Sequence, residues 1–189
     1  RTPLSIVLGY ASEIEDTVSL PEATRKQAGI IRRYSEKLKN LVADLNLTTK
    51  LEYSIQPLQK QKIDPVELAR QVVSEVLNDG ISELYELELS EDTPGKNLSL
   101  VGDQALLSRM LNNLIRNCIV HNPDGCTIQV SVGSCDAMCT FSVADNGYGI
   151  SEPQLNALNS GKDISSTQKQ TGETEHGLGL KIVMQIVKA

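Results

Sequence analysis

A regular heptad spacing of apolar residues in the first third of the chain is the feature that most restricts how it can fold. The spacing alternates between three and four residues, through Ile31, Tyr34, Leu38, Leu41, Leu45 and Thr48. Such a narrow apolar seam is typical of a coiled-coil helix that packs against another helix. We therefore predict one long helix from about Glu22 to Leu51.

The segment before this helix predicts a shorter helical partner. Apolar residues recur at helical spacing between Leu4 and Val18, and Thr2 followed by Pro3 is a favourable helix start. Two helices joined by a short loop form a hairpin with an uncovered apolar stripe, and two hairpins can close into a dimeric four-helix bundle. We expect residues 1–54 to form this homodimeric module. The alternative is that the hairpin packs on the remainder of its own chain.

The rest of the chain, from about residue 63 to 189, alternates between helical and extended patterns, which predicts an α+β module. Asp64 and Pro65 are expected to begin a helix that ends near Asn78. Further helices are expected at 104–120 and from about 177, and strands at 84–90, 98–103, 126–134 and 137–146. The polar stretch 159–176 has no periodicity.

Composition excludes several function classes. The net charge is −6, with one Phe and no Trp, so the chain lacks both the cationic surface and the stacking residues of a nucleic-acid binder. The four cysteines form no Cys-x-x-Cys pair, which favours reduced thiols over a disulfide framework or a zinc site. No apolar run approaches the ~18 residues of a membrane span. Small molecules and other proteins remain as ligands.

Three polar residues share one face of the helix predicted at 104–120 and its next turn. Asn113 and Asn117 are four residues apart, and His121 continues the same face. Asparagine is a poor helix former, so this spacing indicates a polar task. A carboxamide oxygen suits a magnesium ion that lies between protein and phosphates. The alternative is a pair of solvated asparagines.

Two glycine-containing segments complete the set of candidate site residues. Asp145 follows a strand directly and could accept a hydrogen bond from an exocyclic amine such as adenine N6, while Gly147 and Gly149 allow close approach of backbone to the ring. Gly177 and Gly179 begin a helix whose backbone N–H groups could face phosphate. Each segment alone is a common pattern. Their order along the chain makes the combined signal specific.

These three segments resemble the motifs of a known family. "NNLIRNCIVHNP", "DNGYGI" and "EHGLGLKIV" are similar to the N, G1 and G2 boxes of the Bergerat-type ATP-binding domain, an α/β sandwich. With the preceding hairpin, the whole chain resembles the cytoplasmic core of sensor histidine kinases of two-component systems. The opening "RTPLSIVLGY" resembles the end of the family's H box. The resemblance implies a phosphoacceptor histidine just upstream of Arg1, outside the chain, and further strands beyond Ala189.

The resemblance implies a role for each matched residue. Asn117 becomes the magnesium ligand, Asp145 the adenine reader, and residues 159–176 the ATP lid. Thr2 corresponds to the residue that orients water in members with phosphatase activity. The implied nucleotide contacts are Asn113, Asn117, His121, Asp145, Gly147, Gly149, Ile150, Lys162, Gly177, Leu178 and Gly179. ATP and Mg²⁺ are the expected cofactors, and a response-regulator receiver domain is the expected partner.

The chain departs from the family pattern at several positions. Val120 and His121 stand where the family often has Lys and Tyr, Glu175 replaces a glycine, and no Phe marks the lid, although Lys162 or Lys169 could supply a cation there. Two alternatives therefore stay open. One is a catalytically silent dimerisation or regulatory module, and the other is a Bergerat-type ATPase of the chaperone or topoisomerase kind.

The heptad hairpin favours the kinase over an ATPase of the chaperone or topoisomerase kind, whereas measured ATP affinity would separate the kinase from the silent module. The predicted function is ATP-dependent autophosphorylation on histidine followed by transfer of the phosphoryl group to a response-regulator aspartate. The chain would then be the cytoplasmic portion of a membrane-anchored sensor, with any membrane segments upstream of Arg1.

Overall fold

The computed structural model describes residues 2–53, 57–91, 98–135, 138–152, 155–156 and 178–188. The chain divides into two compact units, Arg1–Lys50 and Leu51–Ala189. Lys162 and Gly177, two of the predicted site residues, lie outside the described residues, as does the predicted lid. Within the described ranges, no helix combines the length and the hydropathy needed to cross a bilayer.

The first unit consists of the two predicted helices. Helix α1 covers Thr2–Asp16, and helix α2 covers Glu22–Glu52 and so extends just past the unit boundary. Small side chains are buried in both helices, because Ala11 and Ala28 are 4% and 3% exposed. The guanidinium of Arg32 on α2 donates to the Glu15 carboxylate on α1, with Nε and Oε2 2.6 Å apart. This charge-assisted bond ties the two helices together close to their connection.

The heptad seam of α2 is largely uncovered in the single chain. Ile31, Tyr34, Leu38 and Leu45 are between 51% and 60% exposed, whereas Thr48 is buried. Helix α1 also carries exposed apolar residues, including Ile6 and Tyr10 among those more than half exposed. The hairpin therefore presents a long apolar surface on both helices.

The second unit contains three helices and five strands in its described part. They are β1 (Lys60–Ile63), α3 (Pro65–Asn78), β2 (Tyr85–Glu91), β3 (Leu100–Asp103), α4 (Gln104–His121), β4 (Cys126–Cys135), β5 (Met138–Asp145) and α5 (Leu178–Lys188). The sequence patterns predicted every one of these elements except β1. This strand begins at Lys60, upstream of residue 63, where the second module was expected to start.

The strands form two sheets. Strands β1 and β3 pair antiparallel, with Ile63 opposite Leu100. The other sheet has the order β2-β4-β5, in which β2 and β4 run parallel and β4 and β5 antiparallel. The strands predicted at 126–134 and 137–146 correspond to β4 and β5, which are thus neighbours in this sheet.

Helices α3 and α4 cover one face of the three-stranded sheet, and α5 packs on α4. The inward residues of the central strand, Ile128, Val130 and Val132, are fully buried, while Gln129 between them is exposed. Ile115 on α4 and Ile182 on α5 are likewise fully buried. The mixed α+β class predicted for this module is confirmed, with a core made of aliphatic side chains.

Aspartates begin both long helices of this unit. The Asp64 carboxylate accepts hydrogen bonds from the backbone N–H groups of Val66 and Glu67 at 3.0 and 3.1 Å. Asp103 accepts from the N–H of Leu106 at 3.2 Å. Each side chain satisfies N–H groups that the first helical turn leaves unpaired. The start of α4 is thereby fixed, and with it the register of the polar residues further along.

Candidate functional site

The three polar residues predicted to share a helix face all lie on α4, which extends through His121. Asn113 and Asn117 are partly buried, and the His121 side chain is exposed at the end of the helix. Arg116, between them on the other side, donates to Asn112 on its own helix and to Asp79. The structure therefore presents Asn113 and Asn117 one helical turn apart, as their spacing indicated.

The start of α5 lies against the Asn117 carboxamide. A Cβ atom built on Gly179 would be 3.6 Å from Asn117 Oδ1, and no other group of the described residues comes within 4 Å of it. The start of α5 at Gly179 therefore lies close to the carboxamide oxygen of Asn117. Leu178 is the first residue of α5, and its side chain is outside the described part of the structure.

Asn113 has an unpaired donor. Its Nδ2 atom is buried and has no hydrogen-bond partner among the described residues. Leaving such a group unpaired costs about 1–3 kcal/mol, so a nearby ligand oxygen that accepted from it would be stabilised. An unpaired amide N–H on Asn113, one helical turn from the amide oxygen of Asn117, suits a site for a metal–phosphate complex.

The donor set fits magnesium better than zinc. No group of three or more His, Cys, Asp or Glu side chains that could enclose a metal exists among the residues described. Asn117 offers one hard carboxamide oxygen. Magnesium is commonly held by one or two protein oxygens and takes its remaining ligands from phosphate and water.

Asp145 ends β5, and its carboxylate is held at the edge of the sheet. Its Oδ1 atom accepts a hydrogen bond from Asn122 Nδ2 at 3.1 Å and another from the backbone N–H of Gly147 at 3.0 Å. The residue is nevertheless exposed. The carboxylate is therefore oriented by protein donors while it stays accessible to a ligand.

Asn122 is a residue that the sequence motifs did not single out. It is 2% exposed and follows the last residue of α4, with φ −124° and ψ 68° outside the helical region. Its side chain donates to the carbonyl of Cys118 at 2.8 Å and accepts from the N–H of Tyr148 at 2.8 Å. The available signal was its position before Pro123, because a residue before proline is driven out of helical geometry.

Gly147 and Gly149 serve this loop for different reasons. A Cβ on Gly147 would lie 1.7 Å from Asn122 Oδ1, so only glycine allows the loop to approach Asn122 this closely. Gly149 has φ +72°, and a Cβ built on it meets no atom of the described residues, so its requirement is conformational. The Tyr148 hydroxyl donates to Asp124, and Ile150 beyond it is exposed.

Two thiols lie beside Asp145. Burial, and then the negative charge of Asp145, raise the pKa of the Cys118 thiol to about 12. The same two causes raise the pKa of Cys126. Both groups are therefore neutral thiols at physiological pH. Cys118, Cys126 and Cys139 are free.

Comparison with known proteins first indicates the class of domain to which the second unit is similar. Residues 102–189 match the family described as histidine kinase-, DNA gyrase B- and HSP90-like ATPases. This segment contains α4, the Asp145 loop and α5. Residues 102–189 are thus similar to ATP-binding domains of this class, and the candidate site lies inside this segment.

Matches that cover the whole chain indicate a narrower group of relatives, the sensor histidine kinases. The chain is 29% identical to the sensor histidine kinase YvrG of Bacillus subtilis over 190 residues, which is 99% of this chain and 32% of YvrG. Full-length ShkA, solved in complex with AMPPNP, matches all of this chain with 38% of its own, at a TM-score of 0.72 and 25% identity.

A third match is the histidine kinase ThkA in complex with the response regulator protein TrrA. It covers 80% of this chain and 43% of its own, at a TM-score of 0.55 and 22% identity, which shows similarity of fold. This chain spans about a third of the length of relatives such as YvrG. The predicted resemblance to the ATP-binding catalytic core of sensor histidine kinases is confirmed by these matches.

Proposed function

We propose that this chain is the kinase core of a two-component sensor, which transfers the γ-phosphoryl group of ATP to a histidine. The observation that carries the proposal is the Asp145 carboxylate, oriented at the end of β5 by Asn122 and by the Gly147 N–H. Such an acceptor can receive the exocyclic N–H of adenine. Gly147, Gly149 and Ile150 form the surface beside the base.

The phosphate side of the site consists of groups on α4 and at the start of α5. Asn117 Oδ1 is the proposed ligand of Mg²⁺, and Asn113 Nδ2 is the proposed donor to a phosphate oxygen. His121, Lys162, Gly177 and Leu178 are proposed to complete the phosphate contacts. A bound magnesium ion would neutralise phosphate charge, and the protein's own contribution is positioning.

The phosphoacceptor histidine is proposed to lie just upstream of Arg1, on the same helix as Thr2. Residues 1–54 would then be the phosphotransfer hairpin and 63–189 the catalytic domain. A response-regulator receiver domain is the proposed recipient of the phosphoryl group, supported by the ThkA–TrrA complex. Thr2 is the proposed water-orienting residue in the reverse, phosphatase direction. The parent protein is proposed to be membrane-anchored, with this core in the cytoplasm.

The exposed seam on α2 supports a homodimer that closes a four-helix bundle. Leu38→Glu together with Leu45→Glu places two charges in the seam and should give monomers by light scattering. Asn40→Glu with Asn46→Glu places the same charges at exposed positions outside the seam and should leave the dimer intact. A wild-type chain that stays monomeric at tens of micromolar, where an association of about 6 to 7 kcal/mol is detectable, contradicts the dimer.

The kinase proposal is tested with the longest natural protein that contains these residues, incubated with Mg-ATP. The expected product is an acid-labile phosphoryl group on histidine, seen by intact-mass analysis. Asn117→Ala should abolish both the phosphorylation and the magnesium dependence of ATP binding. Asn112→Ala, on the same helix, is the matched control and should retain both.

The same experiment separates the alternatives. ATP hydrolysis without any phosphoprotein would favour an ATPase of the chaperone or topoisomerase kind. Absence of ATP binding would favour a catalytically silent regulatory module. Magnesium that tightens ATP binding in Asn117→Ala by the wild-type factor would show that another group binds the metal.

A further inference from the structure

Asn122 connects three parts of the candidate site through one buried side chain. Its Nδ2 atom donates to the Cys118 carbonyl on α4 and to Asp145 Oδ1, and its Oδ1 atom accepts from the Tyr148 N–H. The residue is 2% exposed. Both polar atoms of the Asn122 side chain therefore make hydrogen bonds within the protein. One of the partners is the Asp145 carboxylate, which is proposed to contact the base.

The first of these bonds has a local cause. At the end of α4 the backbone N–H of Asn122 bonds to the Ile119 carbonyl at 3.4 Å, which leaves the Cys118 carbonyl without its usual partner four residues on. The Asn122 side chain supplies the missing donor. Its position is thus set by the helix, independently of the loop that it contacts.

From this fixed position the amide restrains the Asp145 carboxylate. Oδ1 receives one hydrogen bond from Asn122 and one from the Gly147 N–H, so rotation of the carboxylate would break both. A carboxylate has about four acceptor positions, so capacity remains for a ligand N–H. The Asp145 carboxylate is therefore already held in one orientation before a ligand binds.

We infer that Asn122 is a positioning residue that holds the Asp145 carboxylate in the orientation that selects a purine carrying an exocyclic amine. The inference rests on the proposed function, because it takes Asp145 as the base reader. Asn122 acts through Asp145 and does not itself contact the nucleotide. An asparagine suits this place because it donates to a carboxylate and accepts from a backbone N–H at once.

Titration calorimetry with two ligands separates positioning from general support of the fold. The ligands are Mg-ATP and the Mg complex of purine riboside triphosphate, which lacks the amine. Asn122→Ala should lower the affinity for ATP about three- to tenfold, because binding must then order a carboxylate that Asn122 holds in place in the wild type. The affinity for the analogue should fall clearly less. Asn112→Ala is the matched control on α4 and should change neither affinity.

Asn122→Asp adds a pH signature. At pH 8 it places a second carboxylate beside Asp145, and like charges at this distance raise the pKa of one partner. The ATP affinity of this variant, expressed relative to wild type, should be lowest at pH 8. It should recover as the pH falls toward 5, where the introduced carboxyl group, once protonated, could donate to Asp145.

Several outcomes overturn the inference. Equal losses for the two ligands would show that Asn122 only supports the fold, and a pH-independent loss in Asn122→Asp would exclude the charge contact. If Asp145→Asn lowers the preference for ATP and the Asn122 variants do not, the positioning role alone is wrong. If Asp145→Asn leaves both affinities unchanged, the base-reading role in the proposed function fails, and this inference fails with it.

An NMR measurement on the wild-type protein tests the same inference without any variant, and so remains possible if the Asn122 variants do not fold. The side-chain amide resonances of Asn122 should shift when ATP binds, because the carboxylate that they contact gains a new donor. The analogue without the amine should produce a clearly smaller shift. Equal shifts with the two ligands would contradict the inference.

Discussion

Substituting Gly147 by alanine tests the contact between the Asp145 loop and Asn122. The added methyl would lie 1.7 Å from Asn122 Oδ1 and 2.1 Å from its Cγ, which no real pair of atoms tolerates. Gly147 does not have a positive φ, so backbone strain makes no contribution. Either the loop or the buried Asn122 side chain must move.

The cost follows from the bonds that such a movement breaks. The bond from Asn122 to the Asp145 carboxylate contributes about 1.5 to 3 kcal/mol, and the neutral bond with the Tyr148 N–H about 1 kcal/mol. We expect Gly147→Ala to lower the free energy of unfolding by about 3 kcal/mol. Affinity for Mg-ATP should fall about tenfold or more, because the carboxylate is released from its fixed orientation.

Gly149→Ala is the matched control within the same loop. Its methyl would meet no atom of the described residues within 4 Å, but its φ of +72° is unfavourable for alanine. The expected loss is about 1 kcal/mol, the cost of the left-handed conformation for a residue with a Cβ. The two glycines should therefore differ in cost and in cause.

The cause is isolated by combining Gly147→Ala with Asn122→Ala. If the steric contact is responsible, the double variant should lose less than the sum of the single losses, since the second change removes the atoms that the methyl meets. Urea unfolding followed by far-UV circular dichroism gives the free energies. A Gly147→Ala loss within about 0.5 kcal/mol of zero, or strict additivity in the double variant, would refute this reasoning.

Three further predictions concern other parts of the chain. The hydrogen bond from Arg32 lowers the pKa of Glu15 from its ordinary 4.5. The stabilising contribution of this bond is therefore present above pH 4.5 and is lost as the pH falls through the lower pKa of the folded state. In Arg32→Met, the midpoint of urea unfolding should depend less on pH over this range. Burial raises the pKa of Cys118 to about 12, so iodoacetamide at pH 8 should modify it only after unfolding, as peptide mass mapping would show. Gly179→Ala places a Cβ at an ordinary 3.6 Å from Asn117 Oδ1 and should keep the magnesium dependence of ATP binding, whereas Gly179→Leu should reduce it by covering that oxygen.

Local periodicity was enough to predict most of the secondary structure. The heptad seam of α2, the aspartate cap of α3 and the alternating residues of β4 each have one physical cause that acts over a few residues. Strand β1 has no such signal, because only Ile63 of its four residues is buried. It forms through pairing with β3, whose residues lie about forty positions further along the chain.

The parts of the candidate site that depend on local sequence patterns could also be predicted. The spacing of Asn113 and Asn117 on α4, and the place of Asp145 after a strand, could be read directly. The position of Asn122 before Pro123 indicated only a non-helical backbone; its contacts could not be predicted, because they depend on the approach of the 145–148 loop to the end of α4. No local pattern encodes a contact between residues more than twenty positions apart.

The most direct test of the whole account is a calorimetric titration of the chain with Mg-ATP, repeated with Asp145→Asn. The wild-type protein should bind one ATP per chain. The variant should bind it about tenfold more weakly or worse, because a charged acceptor to the adenine amine contributes about 1.5 to 3 kcal/mol. Absence of ATP binding by the wild-type chain, or equal affinity in the two proteins, would contradict the account.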